Sequence, residues 1–282
     1  MKKPILGHLA VWFCIVLGAL GSLAQQKPAD DPAVRVIRDV AYYDGKEADA
    51  KKHQLDLYLP KEKKDFPVLM FVHGGAWRSG DRALYGALGQ TFAKAGFGTA
   101  CISYRLSPAV KHPAHIEDVA RAFAWLHGNI AKQGGDPKRL FIGGHSAGGH
   151  LVALLALNEK YLQAHKLSGK DLAGVIPLSG VHRVIGNMFS AFGPELAGWK
   201  DASPIEHVRA DTPPWLLIYA QHDYPGLGLM ARELHAALTE KKNVAEVLEI
   251  PDKTHITIIT SIASEGDPTT AAMLKFMRAH AK

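Results

Sequence analysis

Residues 139–157 read RLFIGGHSAGGHLVALLAL. An apolar run, LFI, meets four glycines spread around one serine, and an alanine- and leucine-rich run follows. The first run has strand character and the last has helix character. Between them lies G-x-S-x-G, Gly144 to Gly148, so Ser146 stands at a strand-to-helix turn. A side chain beside such a turn collides with its neighbours, which explains the glycines. The turn lifts the hydroxyl above the strand ends, where the N-terminus of the next helix favours negative charge. A phosphate loop is excluded, because neither G-K-[ST] nor G-x-G-x-x-G spacing is present.

Working outward, strand-like and helix-like stretches alternate. VRVIRDVAYY (34–43) and HQLDLYL (53–59) read as a leading antiparallel pair. PVLMFVH (67–73) is nearly all apolar, as a strand covered on both faces is. A helix near 84–95, the strand GTACISY (98–104) and a helix over 114–132 follow, the last stopped by GGDP. After 139–157 come the strands LAGVIPLSG, PWLLIYA and VAEVLEI, with helices near 226–241 and 268–281. This order predicts an α/β fold: a mostly parallel eight-stranded sheet with helices on both faces. The apolar stretch 181–213 is long for a connection and predicts a small helical cover.

A neutral serine needs a base, and the base needs a carboxylate to orient it. In such a sheet they follow later strands, acid before histidine, at the carboxyl ends. PWLLIYA leads into Asp223 and VAEVLEI into His255. Asp252 is a rival acid, but it lies only three residues before His255. His222 precedes the acid, the wrong chain order for the base, while His145 and His150 read as packing or supporting residues. HGGAW (73–77) ends a buried strand with two glycines, so the N–H of Gly74 or Gly75, with that of Ala147, is expected to bind an oxyanion, with Ala76 a weaker choice. Trp77, His182, Phe189, Tyr224 and Ile256 are the expected pocket walls. No Cys/His zinc spacing or H-E-x-x-H run occurs, so no metal or cofactor is expected.

The chain has 282 residues and a formal net charge of +6. Its basic residues are scattered, which points away from nucleic acid. The basic MKK, the apolar stretch 8–20 and Ser22/Ala24 read as a signal peptide, residues 1–24, ahead of a catalytic domain, 25–282. The expected address is periplasmic or extracellular, without stable membrane insertion after cleavage; the rival reading is a retained membrane anchor, for which the apolar run is short. Cys14 leaves with the signal, and Cys101 remains as a small buried hydrophobe.

The pieces LDLYLP, HGGAW, SYRLSP, GGDPKRLFIGGHSAGGHL, HD and His255 together resemble the α/β-hydrolase superfamily, on its esterase/lipase branch. The pattern is similar to feruloyl/acetylxylan esterases and arylformamidases; Ala76 in place of a third glycine resembles the HGGxW variant. The resemblance implies a serine esterase acting on small acyl or aryl esters, including carbohydrate-linked acetyl or feruloyl esters, with a small-molecule ester or a plant-polysaccharide ester as its substrate partner. Two alternatives stay open: an arylformamidase, and a non-catalytic binding protein of the same fold.

Overall fold

The computed structural model describes residues 30–186 and 188–281, without the side chains of residues 189 and 190. The expected signal peptide, its cleavage after Ala24 and Cys14 lie outside the described residues. The strands are β1 (Val34–Ala41), β2 (Gln54–Pro60), β3 (Phe66–Val72), β4 (Gly98–Ile102), β5 (Gly135–His145), β6 (Gly174–Leu178), β7 (Trp215–His222) and β8 (Ala245–Thr254). They form one eight-stranded sheet in the order β1-β2-β4-β3-β5-β6-β7-β8. β2 runs antiparallel to both β1 and β4, and every other pair is parallel.

The α-helices are α1 (Gly86–Lys94), α2 (Ala114–Asn129), α3 (Ala147–Leu157), α4 (Lys160–Gln163), α5 (Phe189–Phe192), α6 (Leu196–Ala202), α7 (Leu227–Glu240), α8 (Thr257–Thr260) and α9 (Pro268–His280). Alternation along β3 divides the core into two layers. Val68, Met70 and Val72 join Phe123 of α2, Leu151 of α3 and Leu234 of α7 on one face. Leu69 and Phe71 join Phe92 of α1 and Phe276 of α9 on the other. Both faces of β3 are therefore dry, which is why its sequence is continuously apolar.

All 11 residues of α3 are buried, matching its apolar character on every side. β5 begins at Gly135, earlier than the apolar run, because Phe66 pairs with Gly135 before the register shifts. Gly134, at φ +90, closes the 3₁₀ turn Ile130–Gln133 that extends α2, so the GGDP stop acts one turn later than the α-helix end. The stretch 181–213 holds α5, α6 and the 3₁₀ turn Pro204–His207, a small helical cover whose Val184, Phe192 and Ala202 sink into the core.

Candidate active site

β5 delivers Ser146 at φ +55, ψ −116, a conformation that a non-glycine residue holds only under constraint. The Ser146 N–H donates to Leu178 O at 2.9 Å, which is one such constraint. The glycines around it have specific reasons. A Cβ on Gly144 would come within 2.5 Å of Gly148 backbone atoms, and one on Gly148 would lie 2.0 Å from Val72 O. A Cβ on Gly149 would lie 2.9 Å from the Gly180 Cα. The elbow folds so tightly between β3 and β6 that side chains have no room.

Beyond β8, the buried His255 places Nε2 3.0 Å from Ser146 Oγ. Its Nδ1 is 2.6 Å from Asp223 Oδ1, just past β7. An ionised carboxylate only accepts, so Nδ1 carries the proton and Nε2 accepts from the serine hydroxyl. Asp223 also accepts from Ser179 Oγ at 2.5 Å, Ala220 N at 3.1 Å and Tyr224 N at 2.8 Å. Burial pushes its carboxyl pKa up, but the hydrogen bonds from His255, Ser179 and the Ala220 N–H outweigh that and hold it below the usual value.

Asp252, the rival acid, is exposed, and its N–H donates to Gln221 Oε1. Asp223 holds the imidazole in its place. His222 is exposed at the end of β7. His145 donates through Nε2 to the His255 carbonyl at 2.8 Å, tethering the histidine loop. Burial and the neighbouring His255 push His145 down to about 3, so it is neutral. Ser179 escaped the sequence reading. It sits buried at φ +49 directly after β6, and its only sequence signal is a hydroxyl at a strand end between the serine and acid strands.

The HGGAW loop passes against the elbow: a Cβ on Gly74 would lie 3.2 Å from Ser146 Cβ. The Gly74 N–H donates to the Tyr85 hydroxyl at 3.2 Å. Of the two glycines expected to donate, Gly75 is the one whose N–H has no partner among the described residues. Ala147 opens α3, where the first amides lack partners within the helix. Among the expected walls, Tyr224 stacks on the His255 ring at 4.1 Å and is 42% exposed, and Ile256 is 47% exposed beside it. Trp77 and His182 are instead buried, at 4% and 1% exposed. The Phe189 side chain lies outside the described residues. Burial pushes the Cys101 thiol pKa far up, which disfavours a thiolate. Among the described residues no three His, Cys, Asp or Glu side chains converge as a metal centre requires.

The BD-FAE family model matches residues 55–181, from β2 to just past β6. The sequence is 36% identical to Esterase LipC of Mycobacterium tuberculosis (strain ATCC 25618 / H37Rv) over 194 residues, covering 60% of this chain and 48% of that protein. The fold superposes on a truncated carbohydrate esterase from gut microbiota with TM-score 0.75 at 23% identity, covering 91% of this chain and 99% of the other. The chain has the α/β-hydrolase fold, and part of its sequence is similar to esterases. A further α/β-hydrolase structure, esterase B of Lactobacillus rhamnosis (HN001), superposes with TM-score 0.74 at 21% identity, over 89% of this chain and 87% of the other. The chain spans about half the length, or less, of the curated relatives it matches.

Proposed function

We propose that this α/β-hydrolase is a serine-dependent carboxylic ester hydrolase acting on small acyl or aryl esters. The observation that carries the reading is the continuous line from Ser146 Oγ through His255 to Asp223, at 3.0 and 2.6 Å. Ser146 Oγ attacks the carbonyl carbon as its proton passes to His255 Nε2. The carbonyl oxygen becomes an oxyanion and rests on the N–H groups of Gly75 and Ala147. When the C–O bond breaks, His255 gives its proton to the departing alcohol and the acyl group stays on Ser146. Water, deprotonated by the same imidazole, then releases the acid.

Carbohydrate-linked acetyl and feruloyl esters are the substrate class we propose, supported by the BD-FAE match and by the carbohydrate esterase of like fold. The test sets p-nitrophenyl acetate, acetylated xylan, methyl ferulate and N-formylkynurenine side by side for wild type and Ser146→Ala. Ester turnover that vanishes in the variant is expected. Turnover of N-formylkynurenine alone, or full ester turnover by Ser146→Ala, contradicts the reading. We also propose export, with residues 1–24 removed; the mass of the protein recovered from the periplasm or medium should match a chain starting at Gln25, and an intact Met1 terminus overturns this.

A further inference from the structure

We propose that a chain of hydrogen bonds from Trp77 through His150 to Ala202 is a brace that sets the oxyanion loop, with Trp77 and His150 as positioning residues acting through the Gly75 N–H. The proposal rests on the esterase reading above and deepens it.

Three consecutive loop residues hold positive φ: Gly75 at +113, Ala76 at +52 and Trp77 at +59. For the two non-glycines this conformation is unfavourable, and it lasts only where the surroundings enforce it. Backbone bonds supply part of the enforcement. Gly75 O accepts from Arg78 N and Ser79 N, each at 3.0 Å, and Trp77 O accepts from Ser107 N at 2.8 Å. The remainder comes from side chains. The Trp77 indole N–H donates to His150 Nδ1 at 3.2 Å, and His150 Nε2 donates to Ala202 O of α6 at 2.7 Å. Both rings are buried, and Phe192 of α5 packs edge-on against each, at 4.8 and 5.4 Å.

His150 stands one turn along α3 from Ala147, so the helix bearing one oxyanion donor grips the loop bearing the other. The same imidazole grips the cover. The arrangement demands one tautomer, acceptor at Nδ1 and donor at Nε2. Protonation would set a second N–H against the indole N–H. Burial keeps the ring neutral, holding its pKa at about 3.

A brace of this kind and plain core packing make different predictions. Trp77→Phe removes the N–H and keeps a ring, His150→Leu removes both polar contacts, and His150→Gln keeps an acceptor and a donor. Trp77→Phe and His150→Leu should lower kcat for p-nitrophenyl acetate by about tenfold with KM within about twofold, and weaken inhibition by phenylboronic acid, a tetrahedral-adduct former, in parallel. His150→Gln should recover activity to within about threefold of wild type. Melting temperatures for every variant separate misplacement from unfolding, and Trp77→Phe decides the matter if His150→Leu fails to fold. Wild-type kcat and boronate affinity in Trp77→Phe, or a loss confined to KM, overturns the brace while the esterase reading stands. A wild type without ester turnover overturns that reading and the brace with it.

Discussion

Asp223 is surrounded by hydrogen-bond donors: one imidazole N–H, one hydroxyl and two backbone N–H groups. Asn at this position would turn its NH₂ toward one of them and favour the imidazole tautomer that points a proton at Ser146. Asp223→Asn should therefore lower kcat by roughly 10⁴ with the fold intact, measured on p-nitrophenyl acetate beside a thermal melt. Ser179→Ala removes a single support from the same carboxylate. Its expected effect is smaller, about tenfold in kcat with KM little changed, in line with a hydrogen bond to a charged group. Ser146, Asp223 and His255 were legible because a turn motif and strand ends announce them in chain order. Ser179 and the His145 tether were not, because their partners come from other strands and no spacing records such a meeting. Trp77, expected as a pocket wall, is buried: a tryptophan beside an oxyanion loop gives no sign in sequence of whether its ring faces substrate or core.

Two glycines in helices make opposite predictions. Alanine is the better helix former by about 1 kcal/mol. At Gly148 in α3 that gain is overwhelmed, since the added Cβ would lie 2.0 Å from Val72 O, a backbone atom of β3 that cannot swing aside. At Gly128, exposed in α2, an added Cβ meets nothing within 4 Å. Gly148→Ala should lower the melting temperature or prevent folding, and Gly128→Ala should raise it by about 2–4 °C. Element types were readable because β3 shows the continuous apolar run of a doubly covered strand and α2 the helical spacing of Ile116, Val119, Ala120 and Phe123. Boundaries were less so. The start of β5 at Gly135 depends on Phe66 reaching across from β3, a contact local composition does not encode.

Across the whole molecule, histidine burial sets the acid limit. Burial holds His73 and His115 at about 4, and His145, His150 and His182 at about 3. Unfolded, each titrates near 6.5, so below that pH the unfolded chain binds more protons and stability falls, by up to about 1.4 kcal/mol per pH unit for each ring. This loss begins near pH 6.5 and continues until each folded-state value is reached. Asp118 acts lower. Burial raises its pKa, but hydrogen bonds from His53 and Arg105 hold it at about 2, so its contribution is present above about pH 4 and lost as pH falls through 2. The urea midpoint should therefore drop clearly between pH 7 and pH 5; an unchanged midpoint would mean these rings are not neutral in the fold.

The most direct test of the Ser146–His255–Asp223 arrangement is mass spectrometry after incubation with a p-nitrophenyl alkylphosphonate, which traps an activated serine. One phosphonyl group per chain, on the peptide carrying Ser146 and absent from His255→Ala, is the predicted result. A label on another residue, or undiminished ester hydrolysis by protein fully modified at Ser146, would contradict it.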